Sequence, residues 1–248
     1  MSRRDEWYRS PDWDPVTQEM VERKLSRART PYNRAQNAKL KALSLLGTGD
    51  PAKRRAAIDL LTRVVRDQGE DPSHGVRLMV VESYELLGQA HEEEGEFEKA
   101  EELYREAIRL CTTIRSRAPH GIKLRLAQLI VRTRQQAKFD EARELISLDP
   151  AFADRRFAYL VAEARMAALE GDERKAAICA GAALGILKYQ KPPLPRTPRF
   201  GIAEPDDETL AELRDLASLP GPASEEDYNL LPAWLLRARA RSGQGSST

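Results

Sequence analysis

The side chains best suited to nucleophilic, acid–base or metal chemistry are few: three histidines (His74, His91, His120) and two cysteines (Cys111, Cys179) in 248 residues. Their spacing does not assemble a site. No His-Glu-x-x-His or Cys-x-x-Cys arrangement occurs, so neither zinc nor thiol redox chemistry is suggested. Both cysteines sit in apolar, alanine-rich stretches, where a thiol acts as a small buried side chain. His91-Glu92-Glu93-Glu94 sets carboxylates beside an imidazole, but helical spacing spreads them around the axis, and we read them as a solvated face. Gly47-Thr48-Gly49-Asp50-Pro51-Ala52 loosely matches a dinucleotide-binding glycine fingerprint, which needs a strand before it. A Leu-rich segment of helical pattern precedes it here, so it reads as an inter-helix turn. The expectation is a protein with no catalytic residues, no cofactor and no metal site.

Hydrophobic residues make up 41% of the chain, enough for a packed core. Lys and Arg (40) nearly balance Asp and Glu (39), so no global field draws the protein to nucleic acid or to an anionic membrane. The longest apolar run, residues 176–187, is too short to span a bilayer. No apolar signal region follows Met1-Ser2-Arg3-Arg4, and two cysteines make no disulfide framework. These features predict a soluble, cytoplasmic protein.

Apolar residues recur at helical spacing almost throughout, and Leu, Ala, Glu and Arg dominate. Residues 76–81 are the best strand candidate, but they run into residues 82–87 without a turn signal and read as helix. Asp50 is the expected N-cap, and Pro51 the first residue, of one helix. Residues 67–75 read as a loop. Residues 191–205, with five prolines, read as a linker containing the Pro-x-x-Pro element Pro192-Pro193-Leu194-Pro195. Trp7, Tyr8 and Trp13 either clamp an N-terminal arm onto the first helices or form an aromatic anchor for a partner.

From Tyr84 the chain reads Tyr84-x-x-Leu87-Gly88-x-x-His91, then Gly95-x-Phe97, Ala100-x-x-x-Tyr104 and Ala107. Gly88 and Ala100 are small enough for two helices to close together, with Tyr84, Leu87, Leu103 and Tyr104 filling the space around the contact. Residues 81–114 resemble the tetratricopeptide repeat, a 34-residue helix-turn-helix unit. His91 replaces the Tyr, and Thr112 the Pro, that the pattern prefers. Phe139-x-x-Ala142 and Gly171-Asp172-Glu173-x-x-Ala176 copy the signature weakly, and the step from Ala142 to Ala176 is again 34 residues. Residues 40–46 and 56–65 can form a further, degenerate pair. The element from Glu6 to Pro15 resembles the N-terminus of a group of bacterial tetratricopeptide-like proteins.

The resemblance implies an all-α fold: a right-handed α-α superhelix of about four helix pairs, with an N-terminal arm and C-terminal capping helices. The expected organisation is an arm and first helix over 1–30, with that helix at 16–29, and a repeat domain over 31–190. The linker at 191–205, capping helices over 206–241 (at 208–217 and 228–241) and a disordered tail at 242–248 complete it.

In the tetratricopeptide family the first helix of each pair usually lines a concave groove that binds peptides. On that resemblance the groove positions are Glu82, Glu85, Gln89, Glu92 and Glu93 in the clear repeat. They are Leu124, Ala127, Val131, Arg134 and Gln135 in the next, and Ala158, Val161, Arg165, Ala168 and Leu169 in the last. Some members clamp a C-terminal carboxylate with Lys and Asn, but two of the corresponding positions here hold Glu85 and Gln89. The implied partner is therefore a protein or peptide segment of basic or mixed charge.

Charge is distributed in blocks: net +9 over residues 21–66, −8 over 81–106, +7 over 107–143 and −8 over 204–228. Either the blocks attract one another as internal glue, or they form a recognition surface. Three functions compete. The first is a protein-binding adaptor, scaffold or regulator, including an immunity-type inhibitor of a toxin. The second is nucleic-acid binding through Arg23, Lys24, Arg27, Lys53, Arg54 and Arg55. The third is an enzyme without a recognisable motif. The first is the expectation. A fold-back of the C-terminal acidic block onto the basic blocks would make that region self-inhibitory.

Overall fold

The computed structural model describes residues 7–69, 71–114, 120–146, 153–189 and 203–218. Among the described residues there are ten α-helices and no strand. They are α1 (Pro15–Ser26), α2 (Pro31–Leu46), α3 (Pro51–Gln68), α4 (His74–Glu93), α5 (Phe97–Thr113), α6 (His120–Arg132), α7 (Phe139–Ile146), α8 (Ala153–Glu170), α9 (Glu173–Tyr189) and α10 (Asp207–Ala217). The strand-like residues 76–81 lie inside α4, as the missing turn signal predicts. The loop expected at 67–75 is shorter: Asp67 and Gln68 still belong to α3, and His74 and Gly75 already open α4. The first helix stops at Ser26 rather than residue 29, and α2 begins at Pro31, well ahead of the apolar run at 40–46. The Pro-x-x-Pro element, the capping helix expected at 228–241 and the tail lie outside the described residues.

One local device starts the first three helices. Asp14, Thr30 and Asp50 precede a proline at the first helical position, where its missing N–H costs nothing. Each cap side chain accepts a backbone N–H left without a partner inside the helix: Thr17 N to Asp14 (2.9 Å), Asn33 N to Thr30 (3.1 Å) and Ala52 N to Asp50 (2.8 Å).

The chain divides into two compact units, Met1–Leu126 and Ala127–Thr248, with the division inside α6. In the first, α2 packs on α3, α3 on α4 and α4 on α5. The α4–α5 contact is close at Gly88. A Cβ added to Gly88 would lie 2.5 Å from Cε1 and 2.7 Å from Cδ1 of Tyr104. Tyr104 is fully buried, and its hydroxyl donates to Glu92 Oε2 at 2.7 Å, which fixes the ring. The N-terminal arm is held by Lys41 of α2. This lysine is fully buried, donates from Nζ to the carbonyls of Ser10 (2.7 Å) and Asp12 (2.9 Å), and lies 5.6 Å from the Trp13 ring centroid. Trp7 and Trp13 pack against the core of this unit, in line with a clamp. Desolvation pulls the Lys41 ammonium below its ordinary pKa, and Asp12 opposes that shift.

In the second unit, α8 packs on α9, and α10 lies against both through the fully buried Leu213. A polar cluster ties α7, α8 and α9 together. Buried Glu163 stands 3.0 Å from Lys175 Nζ and 3.6 Å from Arg143 Nε, with the Tyr159 hydroxyl at 3.4 Å. Burial, with Glu163 adding to it, pushes the Cys179 thiol up to about 12. Cys111 is likewise buried and raised, so both thiols are inert side chains of the core.

The two units repeat one pattern at a uniform offset of 76 residues. Ala164, Ala176 and Ala183 occupy the places of Gly88, Ala100 and Ala107, and these three alanines are fully buried. Gly95 and Gly171, also 76 apart, both take left-handed backbone (φ 78° and 81°), as does Gly49 between α2 and α3 (φ 69°). The corresponding residue between α6 and α7 is Arg134 (φ 54°).

Because Tyr104 cannot swing away, Gly88→Ala is expected to overpack the α4–α5 contact. The overpacking costs about 1–3 kcal/mol, against which the helix-propensity gain returns up to ~1 kcal/mol. A lower urea midpoint with an unchanged m-value checks this. An unchanged or higher midpoint would show that the contact is not close.

Candidate functional site

The acidic groove positions lie along α4, and most are engaged inside the first unit. Glu82 pairs with Lys39 of α2. Glu93 pairs with Arg54 of α3 at 3.0 Å. Glu92 accepts the Tyr104 hydroxyl. Glu85 faces Arg125 at 3.6 Å. Gln89 is half-buried on the same helix. Lys39 and Arg54 come from the +9 block and Glu82 and Glu93 from the −8 block, so the two blocks attract each other across the α2–α4 and α3–α4 contacts. That engagement fits internal glue for this part of the chain. It also commits Arg54, one of the candidate nucleic-acid contacts.

Burial raises the Glu85 carboxyl above the ordinary range, and the nearby Arg125 only partly offsets this. At the turn after α4, His91 Nδ1 lies 2.8 Å from Glu96 and 3.9 Å from Glu94. The three ligand atoms fall within 4.8 Å of one another, a geometry that can accommodate a cation. Lys99, 3.4 Å from Glu96, already supplies positive charge there and, together with His91, holds the Glu96 carboxyl below its usual range.

The basic groove positions are placed differently. In the second unit a cleft of about 720 Å³ is lined by Val131, Arg134, Arg165, Ala168 and Leu169, five of the positions derived from the repeat pattern. Ala158 and Val161 line an adjoining hollow of about 300 Å³ that shares Arg165. The opposite wall is α10. Arg165 grips Glu212 of α10 in a forked pair, with Nε–Oε1 at 3.1 Å and Nη2–Oε2 at 2.6 Å. Asp206 accepts the Thr209 N–H at 2.7 Å as the cap of α10, and this bond holds its carboxyl below the usual range. Part of the C-terminal acidic block thus meets a groove arginine, although Arg165 lies outside the basic blocks.

Sequence reasoning missed Lys41, Glu163 and Glu212 as individuals. Lys41 was one charge within a basic block. Glu163 stands at the 76-residue offset from Leu87, and that alignment could have exposed a carboxylate in a core slot.

No family model matches the chain, and no curated protein matches it. Among solved structures it is similar to the crystal structure of BtubC (BKLC) from P. vanneervenii. The two share 19% identity over 93% of this chain and 89% of that one, with a TM-score of 0.57. At that identity the likeness concerns the fold alone. Among the described residues no helix is long and apolar enough to cross a membrane.

A carboxyl with a raised folded pKa binds its proton more tightly in the folded state. Its ionisation then favours unfolding, so stability falls as pH rises from the ordinary Glu range through the folded value. Glu85→Gln is therefore expected to raise the urea midpoint at pH 7 and to change it little at pH 4. A lower midpoint at pH 7 would mean that the Arg125 pairing outweighs desolvation.

Proposed function

We propose that the chain is a non-enzymatic helical-repeat protein of the tetratricopeptide type, working in the cytoplasm as an adaptor, scaffold or regulator. In this reading its helix pairs form a right-handed superhelix, and the groove binds a segment of another protein. The observation that carries the reading is the cleft of the second unit. Five side chains assigned to the groove on the tetratricopeptide resemblance line one open cavity of about 720 Å³, a size suited to a few peptide side chains.

The engagement of the acidic positions inside the first unit moves the weight of the proposal to the second. Glu82, Glu85, Glu92 and Glu93 there hold α4 against its neighbours, whereas Arg134, Ala168 and Leu169 face an open cavity. A partner segment of mixed charge fits a cleft with arginines on one wall and Glu208 on the other.

Ala168 is exposed and lines the cleft, so Ala168→Trp is expected to fill it without disturbing the core. The test is tagged capture from lysate of the source cells, with nuclease, using the full chain and this variant. A stoichiometric protein kept by the wild type and lost at least tenfold by the folded variant is the expected result. A partner released by nuclease, or retained equally by both proteins, would contradict the groove reading.

A further inference from the structure

We propose that the mixed-charge segment bound in the cleft of the second unit is held through an acidic residue of its own, and that Arg134 is the residue that selects that acid. The inference rests on the groove reading above and adds the chemistry of the ligand.

It starts from a comparison of turns. The turns after α4, α6 and α8 close with the same pair of hydrogen bonds. Gly95 N donates to Glu92 O (3.1 Å) and Glu96 N to His91 O (2.9 Å). Arg134 N donates to Val131 O (3.0 Å) and Gln135 N to Ile130 O (3.1 Å). Gly171 N donates to Ala168 O (3.2 Å) and Asp172 N to Ala167 O (2.9 Å). In this helix-ending motif one residue must take left-handed backbone, and glycine does so without a Cβ clash. Gly49, Gly95 and Gly171 follow that rule. Arg134 does not, and is the one non-glycine residue with positive φ among the described residues. Local backbone strain of this kind persists where the side chain has a use.

That use lies in the cleft. Arg134 is exposed on its wall and has no ion-pair partner among the described residues. The neighbouring Arg165 displays the chemistry the wall offers, holding the Glu212 carboxylate in a forked geometry. Arg165 is already engaged, and Arg132, which also lines the cleft, is not without a partner, so Arg134 is the guanidinium left for an incoming carboxylate. Val131, Leu169 and Leu216 add apolar surface beside it. Asp206 and Glu208, on the side opposite Arg134, repel negative charge and so turn the carboxylate of a ligand toward Arg134. The segment that fits carries Asp or Glu next to one or two apolar side chains.

The probe is a phage-displayed library of random 12-residue peptides, selected on the full chain and on two variants. Arg134→Gly removes both the guanidinium and the strain. Its thermal midpoint should rise by roughly 2–4 °C. It should also bind the best wild-type peptide about tenfold or more weakly, the loss expected for one charge-assisted contact. Arg134→Lys keeps the charge and the strain, so it should retain the acidic preference and the wild-type midpoint. Selected peptides without Asp or Glu enrichment, equal affinity in Arg134→Gly, or no rise in its midpoint would overturn the inference. If those peptides are still lost in Ala168→Trp, the groove reading survives that failure. Enrichment of no peptide at all would overturn both.

Discussion

Two helices can lie only as close as the side chains between them allow, and the contact of Gly88 with the Tyr104 ring sets that limit for the α4–α5 pair. An added methyl group would meet the ring at 2.5 Å. The close approach buries Ala100 and Ala107 completely and brings the Tyr104 hydroxyl to Glu92, so a packing contact also fixes a polar one. Seventy-six residues later Ala164, Ala176 and Ala183 are buried in the same places. Between the helices of each pair the chain reverses through one left-handed residue, which sets where the second helix begins. Small residues at the contact and a permissive residue in the turn are the two conditions from which the helix pairs follow.

Electrostatics act on that frame in two ways. In the first unit, Lys39–Glu82 and Arg54–Glu93 join blocks of opposite sign, so part of the charge of these blocks is paired within the unit. Such pairs contribute about 0–1 kcal/mol each when exposed, and their value here is in orienting α2, α3 and α4 rather than in stability. Lys41 is a different case. Its ammonium is fully buried, and its two carbonyl bonds, with the Ser44 hydroxyl donating to the Arg9 carbonyl at 2.6 Å, fasten the arm to α2 beside its aromatic contacts. In the second unit Glu163 stands where the first unit has Leu87, and Lys175 and Arg143 make that exchange tolerable.

Much of this was legible in the sequence because the signals were local. Asp50-Pro51, Gly95 and Gly171 mark helix boundaries through backbone chemistry alone, and the structure places each boundary there. Gly88 and Ala100 were identifiable as the small residues of a helix contact, with Tyr104 among the side chains around it, because their spacing is local. The turn at Arg134 was invisible, since Thr133-Arg134-Gln135-Gln136 contains no breaker residue. The extra residues of α3 and α4 beyond the expected loop were missed because glycine and proline were weighed without knowing which backbone bonds were satisfied. The groove assignments were positional. Spacing can say that Arg165 and Ala168 share a helix face, but not that α10 would supply Glu212 across from them.

We propose the arginine-lined cleft of the second unit, rather than the acidic face of α4, as the functional surface. Amide hydrogen exchange on the full chain, with and without its captured partner, tests this most directly. Slowed exchange over residues 131–136 and 158–169 on binding, with residues 82–93 unchanged, is the expected result. Protection confined to residues 82–93 would contradict it.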